Sequence, residues 1–216
     1  CIKTVYSQNR QKKSGGKNPL QDAAAFAILK EKNVRFRMKR AGINRRGFVK
    51  NINGISLKQR EETMKELYEA IAKRLRNGES VVLATVLKSS GSTPRGAGAQ
   101  MLVFENGTTM GTVGGGTVEY ETGKLGVTLL REKRSEVKRY QLTNDQVADL
   151  GMSCGGRVTV ALQYIPASDV RFETLFSDAA NLCSKNEDAW LILRITDNGT
   201  AFETAISDGN EVSCTR

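Results

Sequence analysis

The chain of 216 residues contains no histidine. That absence removes the imidazole general base and the ordinary His-containing zinc site from its chemistry. Its four cysteines, Cys1, Cys154, Cys183 and Cys214, form no C-x-x-C pair and are too few and too scattered for a disulfide scaffold. No run of 18 apolar residues occurs, so no segment reads as a membrane-spanning helix. The N-terminus also lacks the apolar core of a secretory signal. Neither the dinucleotide fingerprint G-x-G-x-x-G nor the phosphate-loop pattern with its Lys-Ser/Thr is present.

A net charge of +10 suggests a nucleic-acid partner until it is divided along the chain. Residues 1–60 hold 16 Lys/Arg against 2 acids, or +14, and residues 61–216 hold 17 against 21, or −4. The whole excess therefore lies in a leader whose only helix-like stretch is QDAAAFAILKEK and which has few interleaved aromatics. Residues 1–60 are expected to be disordered or not native coding sequence, and nucleic acid is not expected as a partner. Arg60-Glu61-Glu62-Thr63-Met64 back-translates to a ribosome-binding site before a start codon, and a regular pattern begins at Met64.

Glycine is what the chain has in excess. The stretch GSTPRGAGAQMLVFENGTTMGTVGGG, residues 91–116, holds eight glycines in 26 residues, where average usage supplies roughly two. Its two dense clusters flank a compact hairpin signal, QMLVF-ENG-TTMGTV, which brings both clusters to one end of a sheet. Two loops poor in side chains meeting there suit a ligand with polar, hydrogen-bonding edges.

Around this stretch the chain reads as alternating elements. Apolar residues at 64, 67, 68, 71, 72 and 75 predict an amphipathic helix ended by Asn77-Gly78. SVVLATVLKSS predicts a strand covered on both faces. A helix follows from residue 117 to about 134, weakened by Gly123 and Gly126. SEVKRYQLT and RVTVALQYI predict strands, LTNDQVADLGM a capped turn or short helix, and residues 168–185 a helix capped by Ser168 or Asp169. AWLILRIT, TAFETAI and DGNEV predict a hairpin meander. The order gives an α+β fold, with a mixed sheet, hairpins, flanking helices and glycine-rich loops at one end.

Few residues in these loops carry chemistry. Cys154 in LGMSCGG, followed by Gly155 and Gly156, lies in a backbone whose open amides would favour a thiolate, the form that binds soft metals or carries sulfur. The same pattern fits a structural cysteine at a tight turn equally well. Cys183 falls on the apolar side of a helix, as core packing. Arg95, beside Gly96 and Gly98, offers a fixed fork of donors to phosphate or carboxylate, or is simply a surface arginine. The triplet Gly114, Gly115, Gly116 opens a helix in the manner of an anion-binding N-terminus. Glu119 is either a site residue or a first-turn acid favoured by the helix dipole.

Taken together, GSTPRGAGAQMLVFENG, GTVGGGTVE and LGMSCGG resemble, in order and spacing, the N-terminal domain of the XdhC/CoxI family, over residues 64–165. The resemblance implies an accessory factor that binds molybdenum cofactor (molybdopterin) transiently, protects its sulfurated form and delivers it to an apo molybdenum hydroxylase of the xanthine dehydrogenase type. Cofactor-binding residues would be Cys154 (also the metal ligand), Arg95, Gly96, Gly98, Gly114, Gly115, Gly116, Glu119, Gly155 and Gly156. The partners implied are the apo-hydroxylase, a sulfurating cysteine desulfurase and further copies of the chain in a homo-oligomer, all in the cytoplasm and away from membranes. Such a protein is a maturation chaperone and not itself a turnover enzyme. Two alternatives stay open, a Cys-dependent sulfur-transfer or redox enzyme and a docking module for the hydroxylase.

This sequence departs from the family in having Gln100 where Lys is frequent and Thr117 where Cys is frequent. Cys154 is thereby left as the one defensible site cysteine. Residues 166–216 read as a helix and hairpin continuation, truncated before a C-terminal Rossmann-type domain found in longer members.

Overall fold

The computed structural model describes residues 2–8, 57–91, 95–141, 156–185, 189–196, 199–207 and 212–214. Two sheets and three helices make up this part, an α+β arrangement as the sequence predicts. The strands are β1 (Ile2–Gln8), β2 (Val81–Ser90), β3 (Gln100–Val103), β4 (Thr109–Gly111), β5 (Glu136–Gln141), β6 (Arg157–Ile165), β7 (Ala189–Thr196), β8 (Ala201–Ser207) and β9 (Val212–Cys214). The helices are α1 (Leu57–Arg76), α2 (Gly116–Glu132) and α3 (Val170–Ser184).

The larger sheet has the order β4-β3-β2-β6-β5 and every pairing in it is antiparallel. Strand β2 lies at its centre, which explains its apolar run: residues 81–87 are all buried. Alternation sends Val82, Ala84 and Val86 to one face, with Met101, Val103, Val158, Val160 and Leu162, to pack under Val118, Leu129 and Leu130 of α2. Val81 and Leu83 go to the other face, with Leu102 and Ile165, against α1 and α3. Those two helices meet through Tyr68 and Phe176, whose ring centroids lie 5.7 Å apart. The smaller sheet, β1-β7-β8-β9, packs on the same side, where Leu193 and Ile195 join Leu87 and Ala161.

Several local expectations hold for physical reasons. The ENG turn closes with Gly107 N donating to Phe104 O (2.9 Å) and Asn106 Oδ1 accepting from Thr108 N (3.1 Å). Asp169 caps α3 by accepting from Arg171 N at 3.1 Å, and Cys183 is buried in the core. Helix α2 survives its glycines because Gly126 lets it approach β3. A Cβ at that position would lie 2.8–2.9 Å from the Val103 side chain.

Helix α1 begins at Leu57 and not at Met64. LKQREET carries no apolar period, but its Lys, Gln, Arg and Glu are strong helix formers. Of the leader at 1–60, Ile2–Gln8 form β1, parallel to β7 with Ile2 opposite Ala189, and Leu57 to Arg60 belong to α1. The helix expected at QDAAAFAILKEK and the capped turn at LTNDQVADLGM fall outside the described residues.

Candidate functional site

The registers of the larger sheet decide which loops meet. Thr85 lies opposite Gln100, Met101 opposite Gly111, and Ser90 and Gln141 both opposite Arg157. The loop after β2, the glycine triplet after β4 and the two ends of the β5–β6 connection therefore leave the sheet at the same end. The hairpin signal predicted this for the two glycine loops; that the β5–β6 connection shares their end comes from the registers alone. Gly156, immediately before β6, is buried there.

Backbone hydrogen bonds tie the first loop to β2 and the second to β3. Gly98 N donates to Val86 O (2.8 Å), Val86 N to Ala99 O (2.9 Å), and Thr112 N to Gln100 O (2.9 Å). Gln100 is thus held from both sides. Its side chain is buried as well, accepting from Tyr68 Oη at 2.9 Å and donating to Thr85 Oγ1 at 3.2 Å. A glutamine serves here because a strand interior with a hydroxyl on either side needs both a donor and an acceptor. Burial drives the Tyr68 phenol well above its ordinary value near 10, Cys183 raises it further, and the Gln100 bond offsets part of the rise.

The second loop turns on positive φ values at Gly114 (137°), Gly115 (76°) and Gly116 (57°), which L side chains rarely adopt. At Gly111 the constraint is steric too, since a Cβ would sit 2.5 Å from Gln100 O. No side chain caps α2 at Gly115. Instead Glu119 reaches back, its Oε2 accepting from Gly115 N at 3.0 Å and from the Thr112 hydroxyl, while Thr112 Oγ1 accepts from Gly114 N at 3.1 Å. Sequence reasoning alone does not single out Thr112; a hydroxyl just ahead of a glycine run was the available signal.

Of the expected site residues, Arg95, Gly96 and Gly98 lie in the first loop, with Arg95 half-buried. Gly114, Gly115, Gly116 and Glu119 lie in the second, and Gly156 at the start of β6. Cys154 and Gly155 fall outside the described residues. Among the described residues, no three His, Cys, Asp or Glu side chains are grouped to hold a metal ion. No described helix is long and apolar enough to cross a membrane.

Residues 74–141, from the last turn of α1 to the end of β5, match the XdhC and CoxI family. An uncharacterized Escherichia coli (strain K12) protein, YqeB, is 35% identical over 78 residues, which are 36% of this chain and 14% of that protein. A Bacillus halodurans chain described as a xanthine dehydrogenase superposes with a TM-score of 0.52 at 24% identity, covering 67% of this chain and 42% of that one. At that identity the likeness is one of fold. The present chain spans less than half the length of either relative.

Proposed function

Taking residues 74–141 as a segment of the XdhC and CoxI family, we propose that the glycine-loop end of the larger sheet binds molybdenum cofactor transiently, protects it and delivers it in the cytoplasm to an apo molybdenum hydroxylase of the xanthine dehydrogenase type. The observation that supports this most is the convergence of two glycine loops on Gln100, with the connection carrying Cys154 leaving from the same end. When bound, the cofactor supplies a dithiolene-held metal, a heterocycle with many hydrogen-bonding edges, and a phosphate.

The described residues fit such a group. Glycine-rich loops let a flat heterocycle approach the backbone closely. Glu119 already occupies the Gly115 N–H and places negative charge at the start of α2. An anion is therefore disfavoured at that terminus, and the phosphate falls to Arg95 in the neighbouring loop. In this reading Glu119 is a positioning residue that holds the triplet in shape. Cys154 is the soft ligand for molybdenum or its terminal sulfur. A cysteine desulfurase supplying that sulfur and a homo-oligomeric state complete the proposal.

The test is a titration of molybdenum cofactor, released from a donor hydroxylase under anaerobic conditions, into the full chain. The carrier reading expects saturable binding followed by activation of an apo-hydroxylase. Arg95→Ala should weaken binding about 10- to 150-fold, the equivalent of about 1.5–3 kcal/mol for a charged hydrogen bond. Arg95→Lys should recover only part, because a point charge does not reproduce the fork. Catalytic persulfide turnover without cofactor binding would replace the carrier with the enzyme, and hydroxylase binding alone would leave a docking module.

A further inference from the structure

A second feature lies at the same end of the larger sheet, on the face turned away from α2. There Lys88, Arg139 and Arg157 rim a cavity of about 360 Å³ whose apolar wall is formed by Leu87, Val137 and Ile195. The registers put Lys88 and Arg139 on either side of Thr159 in one row across β2, β6 and β5, and Arg157 in the next row beside Ser90. At the usual strand spacing the outer two backbones are only about 10 Å apart.

None of the three cations has an acidic partner among the described residues. The acids on β5 and β8, Glu136 and Glu203, are already paired, with Arg134 at 2.7 Å and with Arg194. Neighbouring like charges on one sheet face destabilise it, so the cluster needs an explanation. A charge on β5 discourages edge-to-edge pairing, and Lys88 lies past the last β2–β3 pair, but that leaves Arg157, on β6 between β2 and β5, without such a role.

We propose that this cavity is a binding site for a small organic phosphate, its phosphate held by Lys88, Arg139 and Arg157 and its organic part against Leu87, Val137 and Ile195. Two arginines and a lysine suit the fork and point-charge recognition of a phosphate dianion. The volume lies at the lower end of the small-ligand range and well above what inorganic phosphate fills, and one wall is apolar. A small, partly enclosed cavity favours a compact ligand over an extended acidic peptide. The inference does not depend on the molybdenum reading.

The test is calorimetric titration of the full chain, at low salt, with adenosine 5′-monophosphate, adenosine, inorganic phosphate and a hexaglutamate peptide as probes. The monophosphate should bind saturably and more tightly than inorganic phosphate, and adenosine should not bind measurably. Lys88→Ala and Arg157→Ala should each weaken the monophosphate by about tenfold or more, the lower end for charge-assisted contacts. Lys88→Arg, which keeps the charge, should stay within about threefold. All three positions are exposed, so melting curves should match the wild type and separate lost binding from lost fold. The proposal is overturned by equal binding of adenosine and its monophosphate, by no binding at millimolar ligand, by alanine variants that bind normally, or by hexaglutamate binding more tightly than the monophosphate. The two readings fail separately, since the cofactor titration is read through Arg95 and Cys154 and this one through Lys88 and Arg157.

Discussion

Alanine at Gly126 should destabilise the protein, whereas alanine at Gly123, one turn earlier on α2, should stabilise it. In a helix interior the exchange of Gly for Ala is worth about 0.8–1.0 kcal/mol in favour of Ala. At Gly123 a new Cβ meets only Thr109 Cγ2 at 3.7 Å, an ordinary contact, so the gain is kept. At Gly126 it meets Val103 Cγ2 at 2.8 Å and Cβ and Cγ1 at 2.9 Å. Val103 is fully buried on β3 between strands β2 and β4, so neither it nor the strand can give way cheaply. Forcing a methyl into such a core costs about 1–3 kcal/mol. The two variants should therefore differ by about 1–3 kcal/mol, with Gly126→Ala net destabilising by up to about 2. Urea unfolding measures this directly, with midpoints moving in opposite directions at unchanged slope. Adding Val103→Ala to Gly126→Ala removes the two γ methyls but leaves the residue's own Cβ at 2.9 Å, so it should relieve part of the clash, and a double-mutant cycle should show coupling of up to about 1 kcal/mol. If both glycine variants stabilise equally, α2 does not lie close on β3, and the placement of the glycine triplet at its start loses its support.

Three further outcomes follow from the same contacts. Tyr68→Phe should cost about 1–3 kcal/mol near neutral pH by stranding the buried Gln100 acceptor. The folded Tyr68 phenol is raised above 10, so its contribution is intact below pH 10 and falls as pH climbs above it, because the unfolded chain releases the proton first; alkaline unfolding curves should show a slope of up to about 1.4 kcal/mol per pH unit that Tyr68→Phe removes. Asp169→Ala should cost about 1 kcal/mol for the lost cap of α3, and since the Arg171 side chain holds the Asp169 carboxyl below its ordinary 3.8, the wild-type advantage should persist at pH 5 and fade as pH falls through and below that value, read by acid titration of both proteins. Glu119→Ala should loosen the triplet and cost about 0.5–2 kcal/mol, whereas Glu119→Gln, which keeps an acceptor oxygen, should lose less; amide exchange at Gly115 reads the difference.

The parts of this fold legible in the sequence are those whose signal is local. Continuous apolar residues in β2, alternation in β5, the ENG turn and the Asp169 cap each announce themselves within a few positions. What was not legible depends on partners far along the chain. The parallel pairing of Ile2–Gln8 with β7 links residues nearly the whole chain apart, and a short β-branched stretch in a basic leader gives no hint of it. The first turns of α1 lack an apolar stripe and so carry propensity without period. The glycine density and the hairpin signal put the two glycine loops at one end of the sheet, as the registers do, but the Glu119–Thr112–Gly114 link and the buried Tyr68–Gln100–Thr85 chain needed the register first. The Lys88, Arg139 and Arg157 cluster was invisible for the same reason: each is an unremarkable basic residue until three strands align them.

The central claim, that Cys154 in the β5–β6 connection carries the soft-ligand chemistry, is tested most directly by comparing wild type with Cys154→Ser in molybdenum cofactor binding, with thiol alkylation as the parallel readout. Cys154 should alkylate near neutral pH faster than Cys183, which is buried in the core, and bound cofactor should protect it. Cys154→Ser should keep the wild-type melting temperature and lose molybdenum retention, since a neutral hydroxyl is a hard, weak ligand for a soft site. A serine variant that retains molybdenum as well as wild type, with Cys154 no more reactive than Cys183, would contradict the account.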